Sequence, residues 1–264
     1  MFKRQLLSVF ISALVLNAPA HANDSKLTVG LGAGLSPDYE GSDEYEAMPI
    51  GYFRYEGEHV IVQSSGPGVE VDLFKTRQFD FGPIVRYHGG RDDVDDAVVD
   101  RLDDVDSTVD GGLFIGSGIP LSALGMDTDT VITGKVTYLH DLIDNGHGGF
   151  QVKGSLGSRV MLDEKTALMP SISTSYASED YNDSMFSVSA AETARTGLAT
   201  YNADSGFKDV GASVVGTHQF TNHWSGSVIM NYTRLINDAA DSPIVDDRGS
   251  ANQFFTGASI NYSF

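Results

Sequence analysis

Apolar and polar residues alternate with a period of two along most of the chain, the spacing of strands with one greasy and one wet face rather than of helices. Lys26 to Ser36 sets Leu27, Val29, Leu31, Ala33 and Leu35 against Thr28, Gly30, Gly32 and Gly34. The end of the chain, Gln253 to Phe264, sets Phe254, Thr256, Ala258, Ile260, Tyr262 and Phe264 against Gly257, Ser259, Asn261 and Ser263. Between them the pattern recurs in Phe79 to Tyr87, Val109 to Ile119, Ile132 to Tyr138, Phe150 to Leu162, Leu168 to Tyr176, Val210 to Phe220 and Trp224 to Tyr232. A further strand is expected near Ala47 to Tyr55, with Pro49 demanding an irregular or edge-like position.

The connections alternate in length. Asp163-Glu164-Lys165 and Thr221-Asn222-His223 are tight and Ser122 to Thr128 is modest, whereas Arg91 to Thr108, Glu179 to Phe207 and Asn237 to Ala251 are long and polar. This is the habit of an outer-membrane barrel, with short periplasmic turns and long outer loops. With both termini periplasmic the strand count is even, and the Arg91 loop falls outside only if His59 to Phe74 is broken in two. Gly66-Pro67-Gly68 supplies the break. The prediction is an all-β, transmembrane antiparallel barrel of about twelve strands, with about ten as the alternative. The last strand must then pair with the first, because lipid tolerates no open sheet edge. Its terminal aromatics, Tyr262 and Phe264, are the expected assembly signal. A soluble periplasmic β-sandwich is the competing fold.

The front of the chain changes the picture only by adding export. Lys3 and Arg4 precede the apolar run Leu6 to Leu16 and the small-x-small site Ala20-His21-Ala22, so residues 1–22 read as a signal peptide and 23–264 as the barrel. No later stretch has the roughly twenty apolar residues of a membrane-spanning helix. Cysteine is absent and 29 glycines are present, so strand pairing rather than disulfides has to hold the fold. A formal charge of −19 argues against nucleic acid as a partner.

Pro37-Asp38-Tyr39-Glu40-Gly41-Ser42, Met48-Pro49 leading to Tyr52-Phe53 and Tyr55, Phe81-Gly82-Pro83, and the Tyr262-Ser263-Phe264 end together resemble the MltA-interacting protein family, also called the MipA/OmpV family. Glu70-Val71-Asp72 departs from the glycine- and tyrosine-rich segment expected there. The resemblance implies an outer-membrane location among outer-membrane lipids. From the family's namesake it also implies a scaffold that joins a lytic murein transglycosylase to a murein synthase, with no catalytic residues and no cofactor to carry over. A narrow pore for small solutes is the alternative, and a surface enzyme a distant third.

Candidate chemistry is mostly charge. Carboxylates crowd the proposed outer loops: Asp38, Glu40, Asp43, Glu44 and Glu46, then Asp92, Asp93, Asp95, Asp96, Asp100, Asp103, Asp104 and Asp106, then Glu179, Asp180 and Asp183, then Asp238, Asp241, Asp246 and Asp247. Such a crown could recruit divalent cations, although its spacing is not that of an EF-hand; the plainer expectation is a solvated, self-repelling face. His88 is expected in the lumen beside Arg86, His140 and His218 on apolar faces, and His147 in a glycine-rich turn. Neither G-x-S-x-G nor H-E-x-x-H occurs, and Ser171 to Ser175 reads as a wet lumen face. A hairpin tip near Asp144 to Gly149 would place Asp141 opposite Lys153 and Lys135 opposite Arg159, all facing the lumen. Asp72 and Asp80 would then compensate the two cations and help plug the lower lumen.

Overall fold

The computed structural model describes residues 26–74, 79–126, 130–143 and 146–264. The expected signal peptide and the start at Asn23 lie outside them. Twelve strands form one antiparallel meander: β1 Lys26–Pro37, β2 Tyr45–Glu56, β3 Ile61–Ser64, β4 Gly68–Asp72, β5 Asp80–His88, β6 Thr108–Pro120, β7 Val131–Asp141, β8 Phe150–Met161, β9 Thr166–Ala177, β10 Gly206–Gln219, β11 Trp224–Leu235 and β12 Asn252–Ser263. The sheet closes on itself through β1 and β12. Their register runs from Thr28 opposite Ser263 to Leu35 opposite Thr256. The wet faces meet there without side chains in the way: a Cβ on Gly32 would run into the Ala258 carbonyl. Closure joins the last strand to the first, so neither is left as an open sheet edge at that seam.

The alternation reads directly as outside and inside. Leu27, Val29, Leu31, Leu35, Leu113, Ile115, Val136, Leu156, Ile172, Val210, Met230 and Ile260 are exposed on the outer wall, while Asp110, Thr137, Ser175, Ser259 and Asn261 are buried within. Among the described residues no helix is long and apolar enough to cross a membrane; the strands carry the apolar belt instead. Aromatic contacts rim it at both ends. Tyr138 meets Phe150, Tyr176 meets Phe207 and Tyr232 meets Phe254 at the end with long loops, while Trp224, Tyr262 and Phe264 meet edge to face at the other. Two girdles of this kind mark the two interfaces of a membrane barrel.

Gly66-Pro67-Gly68 does divide its segment, but the resulting strands are short. β3 has four residues and β4 five, fewer than the nine to eleven of a typical spanning strand. Only Arg54, Tyr55 and Glu56 of β2 pair with β3. This is the low part of the wall. Glu70 and Asp72 point inward on β4 and are buried there, which is why charges replace the glycines and tyrosines expected in that segment.

Phe264 donates its backbone N–H to the Leu27 carbonyl at 2.9 Å and packs its ring on Tyr262 at a centroid distance of 4.9 Å. Deleting Phe264, or changing it to Asp, is expected to remove most of the heat-modifiable compact band on a gel. A truncated protein that kept that band at normal abundance would show the residue dispensable for assembly.

Candidate functional site: the lumen and its cap

The outer loops are folded rather than solvated. Residues 178–205 form α1, Glu179–Phe186, and α2, Ala190–Thr196; residues 236–251 form α3, Asn237–Asp241, and α4, Pro243–Asp246. The sequence starts these helices in recognisable ways. Ser178 caps α1 by accepting from the Tyr181 N–H, Ser189 and Glu192 form a capping box on α2, and Pro243 opens α4. On α1, Tyr181, Met185 and Phe186 are fully buried against Val105, Leu235, Ala239 and Val245. A second cluster gathers Tyr39, Val94, Val99, Leu102, Val188, Leu198 and Ile244. Four loops thus share a small hydrophobic core over the mouth of the barrel.

The acidic loop takes part in this core, which corrects the expectation of a merely self-repelling face. Asp96 Oδ1 accepts from the Val98 and Val99 N–H groups at 2.8 and 3.0 Å, capping a 3-10 turn, and Oδ2 pairs with Arg248 at 2.5 Å. Asp103 pairs with Arg195, and the Asp95 N–H donates to Asp38 at 3.1 Å. Burial works to raise the Asp96 carboxyl, but the hydrogen bonds from Arg248 and the two backbone groups outweigh it and hold it below its ordinary 3.8. Its contribution is therefore full above that value and lost as the pH falls through the depressed folded value. Asp96→Ala is expected to cost the cap about 1–2 kcal/mol, whereas Asp93→Asn with Asp95→Asn leaves the barrel's insertion intact; differential thermal melting of the two proteins checks both statements. Among the described residues no group of three or more His, Asp or Glu side chains is gathered to hold a metal ion.

Beneath the cap a chain of polar groups joins roof to wall. His88 on β5 donates to the Tyr181 hydroxyl at 2.9 Å, because that hydroxyl gives its own proton to Glu40 at 2.6 Å. Glu40 in turn holds the Lys208 ammonium, which also pairs with Asp209 at 3.1 Å. Burial works to raise the Glu40 carboxyl, yet the charge of Lys208 and hydrogen bonds from Lys208 and Tyr181 bring it below the usual 4.5. Burial, and then the Glu40 charge, push the Tyr181 hydroxyl well above its ordinary value. His147 is buried beside this chain. The Gly149 N–H donates to its Nδ1 at 3.1 Å, so Nε2 carries the proton and donates to Asp110 at 2.9 Å. Glu40, His88, Asp110, Tyr181, Lys208 and Asp209, but not His147, help to bound a polar chamber of about 210 Å³, walled by β5 to β11 and roofed by Glu40 and Tyr181.

The lumen differs from expectation in its partners. Lys153 lies opposite Thr137 rather than Asp141, and Lys135 opposite Ser155 rather than Arg159. The hairpin is thus four residues out of the expected register. Asp141 instead organises the loop that follows it, accepting from the Ile143 N–H at 3.0 Å and the Gly148 N–H at 2.9 Å. Lys135 pairs with Glu70 at 2.5 Å and lies over the Phe114 ring. Asp72 accepts from the Phe74 and Phe81 N–H groups, and Arg159 is exposed near the lower rim. A charged group does cross the lower lumen, but it runs Arg54, Gln63, Glu70, Lys135.

The amino-acid sequence matches the family described as MltA-interacting protein MipA over residues 29–264. The chain belongs to that family. It is 26% identical to the MltA-interacting protein of Escherichia coli K12, over 93% of this chain and 94% of that one. It is 24% identical to the outer membrane protein YiaT of the same strain, over 99% and 100%, and 32% identical to outer membrane protein OmpV of Vibrio cholerae over 53% of each. Among solved structures it is similar to the COG4313 outer membrane channel of Pseudomonas putida F1, at 13% identity and a TM-score of 0.45, covering 91% of this chain and 95% of that one. These relatives carry names of interacting or outer membrane proteins rather than of enzymes. The protein is an outer-membrane β-barrel.

Membership in the MipA family gives the motif after β1 a physical reading. Tyr39 enters the cap core, Glu40 holds Lys208, and Gly41 adopts a φ of 102° where a Cβ would strike Val245. Gln253 clamps the same turn, accepting from the Gly41 N–H at 3.2 Å and donating to the Ser42 carbonyl at 2.9 Å. The motif fastens the cap to the barrel. Lys208 and Asp209, which form the other half of that fastening, escape a reading by alternation because a bulge at Phe207/Asp209 turns both inward. Two adjacent charges in an otherwise alternating strand were the available signal.

Proposed function

We propose that this barrel is a non-enzymatic adaptor of the outer membrane that engages a murein-remodelling enzyme through its periplasmic turns. What carries the reading is the cap: a mouth closed by a hydrophobic core and buried ion pairs suits a barrel used as a platform better than one used as an open channel. Similarity to an MltA-interacting protein along nearly the whole of both chains supports a lytic transglycosylase as the partner. Two of the turns available for contact, residues 162–165 and 220–223, are short and each bent around a side-chain acceptor, Asp163 and Thr221. Co-elution of the purified barrel with a purified lytic transglycosylase in detergent tests it. A shared peak that is lost when the 162–165 and 220–223 turns are replaced by glycine-serine links supports the adaptor; separate elution at micromolar concentrations of both contradicts it.

The polar chamber favours a second reading, a narrow pore for small solutes. Under that reading the cap must open for solute to pass, and conductance rather than co-elution reports it.

A further inference from the structure

The chamber under the cap holds two cations that make no ion pair at contact distance, although Arg86 lies across the β5–β6 ladder from Asp110 and Lys153 lies within the field of Asp209. Arg86 on β5 and Lys153 on β8 both line it, and each lies within the other's electrostatic field. Among the described residues neither makes a hydrogen bond or an ion pair, and the Arg86 Nε is fully enclosed without a partner. The carboxylates nearby are committed elsewhere: Glu40 and Asp209 to Lys208, and one oxygen of Asp110 to His147. The second oxygen of Asp110, which is itself 1% exposed, has no donor. Two half-buried like charges facing one space are costly unless an anion sits between them. An acceptor without a donor is likewise an unmet demand. Both demands face the same 210 Å³ space, which is about seven water volumes and enough for a small organic acid.

We propose that this chamber is a binding site for a small carboxylate that also carries a hydroxyl or amine donor. The planar guanidinium of Arg86 matches a carboxylate fork, Lys153 supplies the second positive charge, and Asp110 accepts from the ligand's donor. Tyr181 and Glu40 form the lid, so the ligand would also tie the cap to the wall. The site is independent of the adaptor reading, since it lies at the opposite end of the barrel from the periplasmic turns.

Titration of the full-length barrel in zwitterionic detergent, at constant ionic strength in chloride, tests this with three probes: lactate, which has the carboxylate and the donor, acetate, which has the carboxylate alone, and inorganic phosphate. Lactate is expected to bind saturably and to raise the melting temperature. Arg86→Met and Lys153→Met should each weaken it by about tenfold or more, and Asp110→Asn should weaken lactate more than acetate. Lys153→Met should also melt, without any probe, no lower than the parent protein, because it removes a charge that has no protein partner. A lower melting temperature would show that the ammonium serves the fold and would overturn the site. So would the absence of saturable lactate binding, or lactate binding that is unchanged in the methionine variants. Phosphate bound in place of lactate would overturn the carboxylate assignment.

Discussion

Lys208→Met should unhook the cap without dissolving the barrel. The methionine fills the same space, but Glu40 and Asp209 are left enclosed without their counter-charge, and breaking a buried pair from one side costs about 3–5 kcal/mol. That cost falls on the loops, because β10 keeps its ladder with β9 and β11. The readout is trypsin nicking at Arg195, which lies on α2 in the cap. Nicking should rise by on the order of a hundredfold while the heat-modifiable barrel band persists. Adding Glu40→Gln and Asp209→Asn to the same chain should restore much of the protection, since no uncompensated charge then remains. In the parent protein the same contact predicts acid loosening. Glu40 has its folded value depressed below 4.5, so its stabilising contribution is complete above pH 4.5 and disappears as the pH falls through the lower, folded value. A cap melting temperature that stayed flat from neutral pH down through that window would remove Glu40 from this role.

Phe186→Ala attacks the same cap through its core. The ring is fully buried between α1, α3 and α4, and the Phe186 carbonyl accepts from Ser242 at 2.6 Å. Truncating a fully buried phenylalanine costs about 3–5 kcal/mol. Among the described residues the cap keeps one other cluster, around Val99 and Ile244, and Phe186 does not belong to it. In a planar bilayer the variant should therefore show frequent brief openings that the parent lacks, with the wall's thermal transition little changed. If the wall melted with the cap in one lowered transition, the two would be a single cooperative unit, and the separation drawn here between platform and lid would be wrong.

The strand plan was legible because a period-two pattern is dictated by geometry: one face must be apolar toward lipid and the other small or polar toward a crowded lumen. β1 and β12 read cleanly, down to the partnership of the first strand with the last. The same pattern cannot distinguish registers that differ by an even number of residues. A slip of four between β7 and β8 leaves Lys135, Asp141, Lys153 and Arg159 all facing inward and changes only whom they meet. Glu70 was therefore missed as the partner of Lys135, although it lay in the segment where the family resemblance faltered. The cap was hidden for a different reason. Its apolar residues are spread over four loops, two or three at a time among carboxylates, and no local period gathers Tyr39, Val99, Tyr181, Phe186 and Ile244 into clusters. Their interspersion in acidic loops was the trace that a folded lid leaves in sequence.

A capped adaptor requires a barrel whose lumen is closed at rest. The most direct measurement is the single-channel conductance of the unmutated, full-length protein in a planar bilayer at neutral pH. A closed lumen gives a quiet membrane, with no stepwise current after insertion has been verified by heat-modifiable migration of the same preparation. Long-lived, anion-selective steps from the unmutated barrel would contradict it, placing the open pore ahead of the capped adaptor.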